Sequence, residues 1–133
     1  FDGKPEGLYE SYWGNGTFSD RGSYRDGKEE GYHEQYNSYG PDQGFMTYRI
    51  FYKDGKEIFK DDFIYQEVED SKYVNPDKLI SIERYYRLNN APCAKETYDE
   101  KRILIKREYW KEGEGWVDEK LYQRECNIVK DRF

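Results

Sequence analysis

The feature that most constrains the fold is a short motif that occurs twice in the chain. "SYRDGKEEG" at residues 23–31 returns as "FYKDGKEIF" at residues 51–59. Asp-Gly dipeptides favour two-residue turns with positive φ at both positions, so each copy predicts a strand, a tight turn and a second strand. A single hairpin is only marginally stable in water. The repetition therefore predicts several hairpins placed side by side, which bury a common face together.

The motif belongs to a longer repeat near the amino terminus. At a spacing of 24 residues, Gly7 aligns with Gly31 and Tyr12 aligns with Tyr36. The second Tyr-x-Asp-Gly-Lys follows the first at a spacing of 28, and the segment "GPDQG" at 40–44 explains the difference as a lengthened turn. We therefore predict one repeat-built domain over 1–133, with regular hairpin repeats in 1–58 and a degenerate continuation in 59–133.

The second half repeats the pattern more loosely. A strand that ends in a turn at Asn89-Asn90 is predicted within 79–90. Two more strands are predicted within 102–126, around Glu112-Gly113-Glu114-Gly115. Residues 59–78 predict a strand followed by a long loop around Asn75-Pro76-Asp77, and residues 92–102 predict an exposed turn.

The composition agrees with an all-β protein. The chain has 25 aromatic residues, only 18 Val, Ile, Leu and Met, and two Ala, and aromatic and β-branched residues favour strands. Charged residues make up 38% of the chain, which favours a sheet with one solvated face. We expect the other face to bury the aliphatic side chains. These are Ile50, Ile58, Ile64, Ile80, Ile82, Ile103, Ile105 and Val117.

The net charge narrows the possible partners. It is −6, and most of the excess of acidic residues lies in the first half of the chain. An acidic surface repels phosphate backbones, so nucleic acid is a poor partner, whereas a basic protein would be attracted. No apolar run approaches the length of a membrane span. A cytoplasmic location is favoured, with the periplasm as the alternative if an upstream signal peptide has been removed.

The residues do not predict an enzyme or a cofactor. His33 is the single histidine, and a surface or edge position suits it better than a role as catalytic base. Cys93, Cys126 and His33 form a weak set of zinc ligands, and whether the two cysteines pair is left open. No phosphate-binding loop occurs, and adjacent carboxylates along a strand point to opposite faces. No catalytic or metal-binding residue and no cofactor is predicted.

The repeat resembles the variant MORN repeat of a bacterial antitoxin family. Weaker matches to the same repeat lie in residues 85–113. The resemblance implies an elongated antiparallel sheet of successive hairpins without shared catalytic residues. It also implies the function of an antitoxin or immunity protein, which binds and neutralises another protein. The matching residues are Gly7, Tyr9, Tyr12, Asn15-Gly16, Gly22, Tyr24, Gly27-Lys28, Gly31, Tyr36, Gly40, Tyr52 and Gly55-Lys56.

Together these observations predict inhibition of a basic protein by direct binding. Tyrosine and tryptophan rings among acidic side chains would form the contact surface. The alternatives are a phage-encoded inhibitor of a host defence protein, a carbohydrate- or cell-surface-binding module that uses Trp13 or Trp116, and a self-assembling repeat protein. The predicted partner-binding residues are Tyr12, Trp13, Tyr24, Glu29, Glu30 and Tyr36.

Overall fold

The computed structural model describes residues 6–14, 16–38, 44–70, 73–88 and 91–118. These residues form one antiparallel sheet of nine strands, and each strand pairs with the next one along the chain. The all-β prediction of successive hairpins is therefore confirmed. The strands are β1 (Gly7–Tyr12), β2 (Phe18–Arg25), β3 (Lys28–Ser38), β4 (Gly44–Lys53), β5 (Lys56–Glu67), β6 (Val74–Leu88), β7 (Ala91–Asp99), β8 (Leu104–Lys111) and β9 (Gly115–Val117).

The two copies of the opening motif form the same tight turn. Asp26 and Gly27 have φ of 53° and 82°, and Asp54 and Gly55 have φ of 52° and 80°. Positive φ at both central residues is the geometry of the type I′ turn, which matches the twist of the flanking strands. The predicted lengthened turn at 40–44 and the predicted turn at Asn89-Asn90 fall mainly or wholly outside the described residues.

An aromatic row, and not the aliphatic set, forms the core. The buried cluster contains Phe59, Tyr86, Cys93, Ala94 and Tyr109. Four of its members lie directly opposite one another on neighbouring strands, so their side chains share one face. The whole row runs through Tyr32, Phe51, Phe59, Tyr86, Ala94, Tyr109 and Val117.

The expectation of an aliphatic core is wrong for four of its eight members. Ile82 is buried, but Ile64, Ile80, Ile103 and Ile105 are exposed. Exposed aliphatic residues are normal on protein surfaces, and hydrophobicity alone does not select the buried face of a strand. Here the larger apolar area of the aromatic rings decides which positions are buried.

Residues 92–102 are not an exposed turn. β7 occupies most of this segment, and Cys93, Ala94 and Glu96 within it are buried. The charged side chains that suggested a turn are paired across strands, Lys95 with Glu108 and Glu96 with Arg107. Ion pairing therefore allows a strand where the sequence appears too polar for one.

The long loop expected around Asn75-Pro76-Asp77 is part of β6. Asn75 pairs with Gln66, and the next residue of β6 that pairs with β5 is Leu79, opposite Tyr65. The residues between Asn75 and Leu79 form a bulge, which is one of the few places where a sheet tolerates proline because the ladder is interrupted there.

Candidate functional site

One face of the sheet carries a row of side chains whose charges alternate in sign from strand to strand. Residues directly opposite each other in an antiparallel pair lie on the same face, so the register places all of them side by side. Acidic residues occupy β1, β3, β5 and β7, and arginines occupy β2, β4, β6 and β8. We call this row the charge ladder and its side of the sheet the ladder face. It consists of Glu10, Arg21, Glu34, Arg49, Asp61, Arg84, Glu96 and Arg107.

The centre of the charge ladder is a buried ion triad. Asp61 is 0% exposed. Its Oδ2 accepts a hydrogen bond from Arg49 Nε at 2.9 Å, and its Oδ1 accepts one from Arg84 Nε at 2.7 Å. Arg84 Nη2 donates to Oδ2 at 3.0 Å. Burial is the largest single effect on the pKa of Arg84 and would lower it, but the hydrogen bond to Asp61 and the charge of Asp61, with smaller contributions from Tyr86 and Tyr98, together raise the pKa.

Aromatic rings flank the triad on both sides. The Arg84 guanidinium lies 3.8 Å from the centroid of the Phe59 ring, and Arg49 lies 4.3 Å from that of Tyr32. Phe63 and Tyr98 lie beyond the same two arginines, at 5.5 and 5.3 Å. Contacts of this kind favour a cation in place, especially when water is excluded. The ladder is thus enclosed between two aromatic rows.

Glu96 forms a second closed network further along the ladder. It accepts two hydrogen bonds from Arg107, at 2.7 and 3.0 Å, and one each from the hydroxyls of Tyr86 and Tyr98, at 2.9 and 2.8 Å. Burial, followed by the hydrogen bond to Glu96, raises the pKa of Tyr98 to about 12. The carboxylates of Asp61 and Glu96 are fully occupied within the fold, so the middle of the ladder face offers little unpaired negative charge.

The opposite face carries an aromatic group in the amino-terminal half, which we call the tyrosine cluster: Tyr9, Tyr24, His33 and Tyr52. The His33 ring lies 4.9 to 5.7 Å from the three tyrosine rings. Its Nε2 is 2.9 Å from the Ser23 carbonyl oxygen. All four side chains are half-buried. We name this side of the sheet the tyrosine face.

Acidic side chains surround the tyrosine cluster. Asp20 lies opposite Gln35 and Glu29 lies opposite Tyr24. Burial, and after it the charge of Asp20, raises the pKa of Tyr9. Burial and the charge of Glu29 raise the pKa of Tyr52 in the same way. The cluster therefore lies in a negative local potential.

One carboxylate oxygen of Asp20 makes no hydrogen bond within the described part of the chain. Asp20 Oδ1 is the single buried side-chain oxygen or nitrogen there that makes no hydrogen bond. An unsatisfied buried acceptor costs free energy, and an ordered water or a bound ion is a common partner of such groups in native proteins.

The predicted partner-binding residues do not form one surface. Tyr24 and Glu29 lie at the tyrosine cluster. Tyr12 and Tyr36 flank Phe18, with ring centroids 5.1 and 5.9 Å away, and the Tyr36 hydroxyl donates to Glu34 of the ladder. The rings of Tyr12 and Tyr36 therefore belong to the ladder face.

Trp13 and Glu30 have roles within the fold. Trp13 Nε1 donates to the carbonyl oxygen of Tyr36 at 3.3 Å, while the ring stays 42% exposed. Glu30 accepts a hydrogen bond from the backbone N–H of Asp54 at 3.0 Å, at the Asp54-Gly55 turn. Glu6 does the same for Asp26 at 3.0 Å. Both glutamates therefore stabilise equivalent turns of the repeat.

His33 is placed in the middle of the sheet and not at an edge. β3 lies between β2 and β4, so of the two predicted positions, surface or edge, the edge is excluded, and the His33 ring is half-buried on one face of the sheet. Cys93 takes part in a disulfide bond, and Cys126 lies outside the described residues. Across the described ranges, no group of three or more His, Cys, Asp and Glu side chains could hold a metal ion. The same ranges contain no helix long and apolar enough to cross a membrane.

The predicted partner-binding residues did not include Tyr9, His33 and Tyr52, which complete the tyrosine cluster, or Asp20 beside it. The repeat indicates that Tyr24 and Tyr52 occupy equivalent positions, because each lies two residues before an Asp-Gly turn. Placing Tyr9 and His33 beside them required the register of β1 to β4, which the sequence did not supply.

Comparisons of the chain with protein-family models, with curated proteins and with solved structures found no match.

Gly22 makes the tyrosine cluster possible, and its replacement tests the geometry. A Cβ at this position would lie 2.6 to 2.8 Å from three atoms of the His33 ring. We expect Gly22→Ala to displace the ring and to lower the free energy of unfolding by about 1–3 kcal/mol. Urea denaturation followed by tyrosine fluorescence measures this loss.

Gly14→Ala is the matched control, because nothing lies within 4 Å of a Cβ there. The loss should shrink when Gly22→Ala is introduced into a His33→Ala background, since the atoms that clash are then absent. An equal loss in both backgrounds would contradict the close packing of His33 on Gly22.

Proposed function

We propose that this chain is a non-catalytic inhibitor of the antitoxin or immunity type, built from variant MORN repeats, which neutralises a basic protein by direct binding. The binding surface is the tyrosine cluster with its acidic surroundings. The observation that carries the proposal is a group of half-buried tyrosine rings in the negative potential of Asp20 and Glu29. Tyrosine is enriched at protein interfaces because its ring packs while its hydroxyl remains able to form hydrogen bonds.

The distribution of charge supports the tyrosine face over the ladder face. The ladder carboxylates of Glu34, Asp61 and Glu96 are each bound by an arginine. Within the described ranges, the Glu29 carboxylate has no such ion pair. Unpaired carboxylates attract a basic partner, speed its encounter and suppress wrong partners.

The disulfide bond of Cys93 is informative about the compartment in which the protein meets its partner. Disulfides persist in oxidising compartments such as the periplasm and are rare in the cytosol. The bond therefore favours the periplasm, which the sequence left as the second choice.

Charge reversal of Glu29 tests the proposal. The immobilised chain should retain a basic protein from a lysate at low salt and release it at high salt, because screening weakens exposed charge pairs. With the purified partner, Glu29→Lys should raise Kd at least roughly tenfold. Isothermal titration calorimetry measures the affinity directly.

Glu67→Lys is the matched control, because it makes the same charge change on an exposed residue at the far end of β5 from the Asp54-Gly55 turn. It should leave the affinity within about twofold of the original chain, as distant surface charges are screened. Equal effects of the two reversals would place the contact elsewhere and overturn the proposed surface.

A further inference from the structure

A pocket lies on the carboxy-terminal half of the tyrosine face, away from the tyrosine cluster. Its volume is about 330 Å³, which is within the range of small-molecule sites. Side chains from β5, β6, β8 and β9 line it. We call it the tryptophan pocket, and the lining residues used below are Lys60, Asp62, Tyr85, Arg87, Trp110 and Trp116.

Three aromatic rings form one wall of the tryptophan pocket. Trp110 and Trp116 lie directly opposite each other, with ring centroids 5.2 Å apart and planes inclined by 72°. Tyr85 lies 6.0 Å from Trp116 at an inclination of 60°. Trp110 is 38% exposed. Inclined rings form a concave corner, in which a flat apolar ligand surface can stack on one ring and touch the edge of the next.

Polar groups of both signs form the opposite side. Lys60 Nζ lies 3.5 Å from Asp62 Oδ1, and Arg87 Nε lies 3.7 Å from Glu57 Oε2. Burial raises the pKa of Asp62. The cations and the carboxylates largely balance, so hydrogen-bond donors and acceptors stand side by side without a strong net charge.

We propose that the tryptophan pocket binds a neutral saccharide. A pyranose ring has one face of C–H groups, which suits the aromatic corner, and a rim of hydroxyls. Each hydroxyl both donates and accepts a hydrogen bond, which suits the pair of Lys60 and Asp62. The inference does not rest on the proposed inhibitor function, because the pocket shares no residue with the tyrosine cluster.

Other ligand classes fit the same walls less well. An apolar anchor side chain would cover Lys60, Asp62 and Arg87 without offering them hydrogen bonds, and removing water from charged groups without replacing its hydrogen bonds is costly. An anionic ligand would meet Asp62, and a cationic ligand would meet Lys60 and Arg87. A neutral ligand rich in hydroxyls avoids all three penalties.

Tryptophan fluorescence tests the proposal. In a Trp13→Phe background, Trp110 and Trp116 are the two remaining tryptophans of the chain. The probes are methyl α-mannopyranoside, cellobiose, lactose and N,N′-diacetylchitobiose, each titrated to its solubility limit. We expect a saturable change in intensity or emission maximum with at least one of them. No saturable change with any of the four would overturn the proposal.

Two variants separate pocket binding from an indirect effect. Trp116→Ala removes part of the aromatic wall, and Asp62→Asn keeps the wall and the side-chain shape but removes the charge. Both should weaken saccharide binding at least roughly tenfold, whereas Glu29→Lys should leave it unchanged. Asp62→Asn decides the result if Trp116→Ala does not fold.

Indole and phenylacetate serve as competing probes. Saturable binding of either one without binding of any saccharide would identify an aromatic or anionic pocket and overturn the proposal. Loss of partner binding in Glu29→Lys with saccharide binding retained would leave the two sites independent. Failure of one proposal is thus distinguishable from failure of the other.

Discussion

Asp61→Ala should reduce the free energy of unfolding by roughly 3–5 kcal/mol, because it leaves Arg49 and Arg84 buried without their shared carboxylate. The two guanidinium side chains are only 17% and 18% exposed. Their flanking aromatic rings supply no negative group strong enough to replace an ion pair. Chemical denaturation monitored by circular dichroism measures the difference, provided that the dependence on denaturant is unchanged.

Two further variants identify the cause of that loss. Asp61→Asn retains the shape of the side chain and one hydrogen-bond acceptor. The loss of stability that it shares with Asp61→Ala therefore comes from the missing charge and the missing second acceptor, and not from a cavity. The triple change Arg49→Met, Asp61→Leu and Arg84→Met removes the whole triad and should recover much of the stability, since a well-packed apolar substitute often equals a buried ion network. A cost below about 1 kcal/mol for Asp61→Ala would contradict the buried triad.

Phe59→Ala should cost about 3–5 kcal/mol, the range for loss of a large core side chain. Phe59 is 0% exposed and lies at the centre of the aromatic row, between Phe51 and Tyr86. The change also removes the ring that faces Arg84. Thermal or urea denaturation of the purified variant provides the measurement.

Ile105→Ala is the informative comparison for Phe59→Ala. Ile105 is 61% exposed although the sequence suggested a core position. Its truncation should change the free energy of unfolding by no more than about 0.5 kcal/mol, as is usual for surface substitutions. A larger cost for Ile105→Ala than for Phe59→Ala would support the aliphatic core that the structure contradicts.

The fold was predictable because its strongest signals are local. Asp26-Gly27 and Asp54-Gly55 specify their turns within two residues, and the spacing between them implies the hairpin repeat. β7 was missed because Lys95 and Glu96 made the segment look exposed. Their partners lie on β8, so the signal that permits this strand is not local in sequence.

The candidate surfaces were harder to predict because they depend on register. Each strand from β1 to β8 contributes one charged residue to the ladder, and a lone charge in a strand usually indicates a solvated face. Arg21 and Arg49 both lie five residues before the aspartate of a turn, so the repeat in the sequence does place two ladder arginines at equivalent positions. Seven of the eight strand pairs contain a register shift, so counting along the strands does not reveal which residues meet.

The charge ladder also limits how a protein of this kind can change its length. Because acids occupy the odd strands and arginines the even strands, duplication or deletion of a complete hairpin keeps opposite charges adjacent across the new junction. Gain or loss of a single strand would place two carboxylates or two guanidinium groups opposite each other, which is destabilising. Evolution of this sheet by unequal recombination is therefore expected to proceed in steps of two strands.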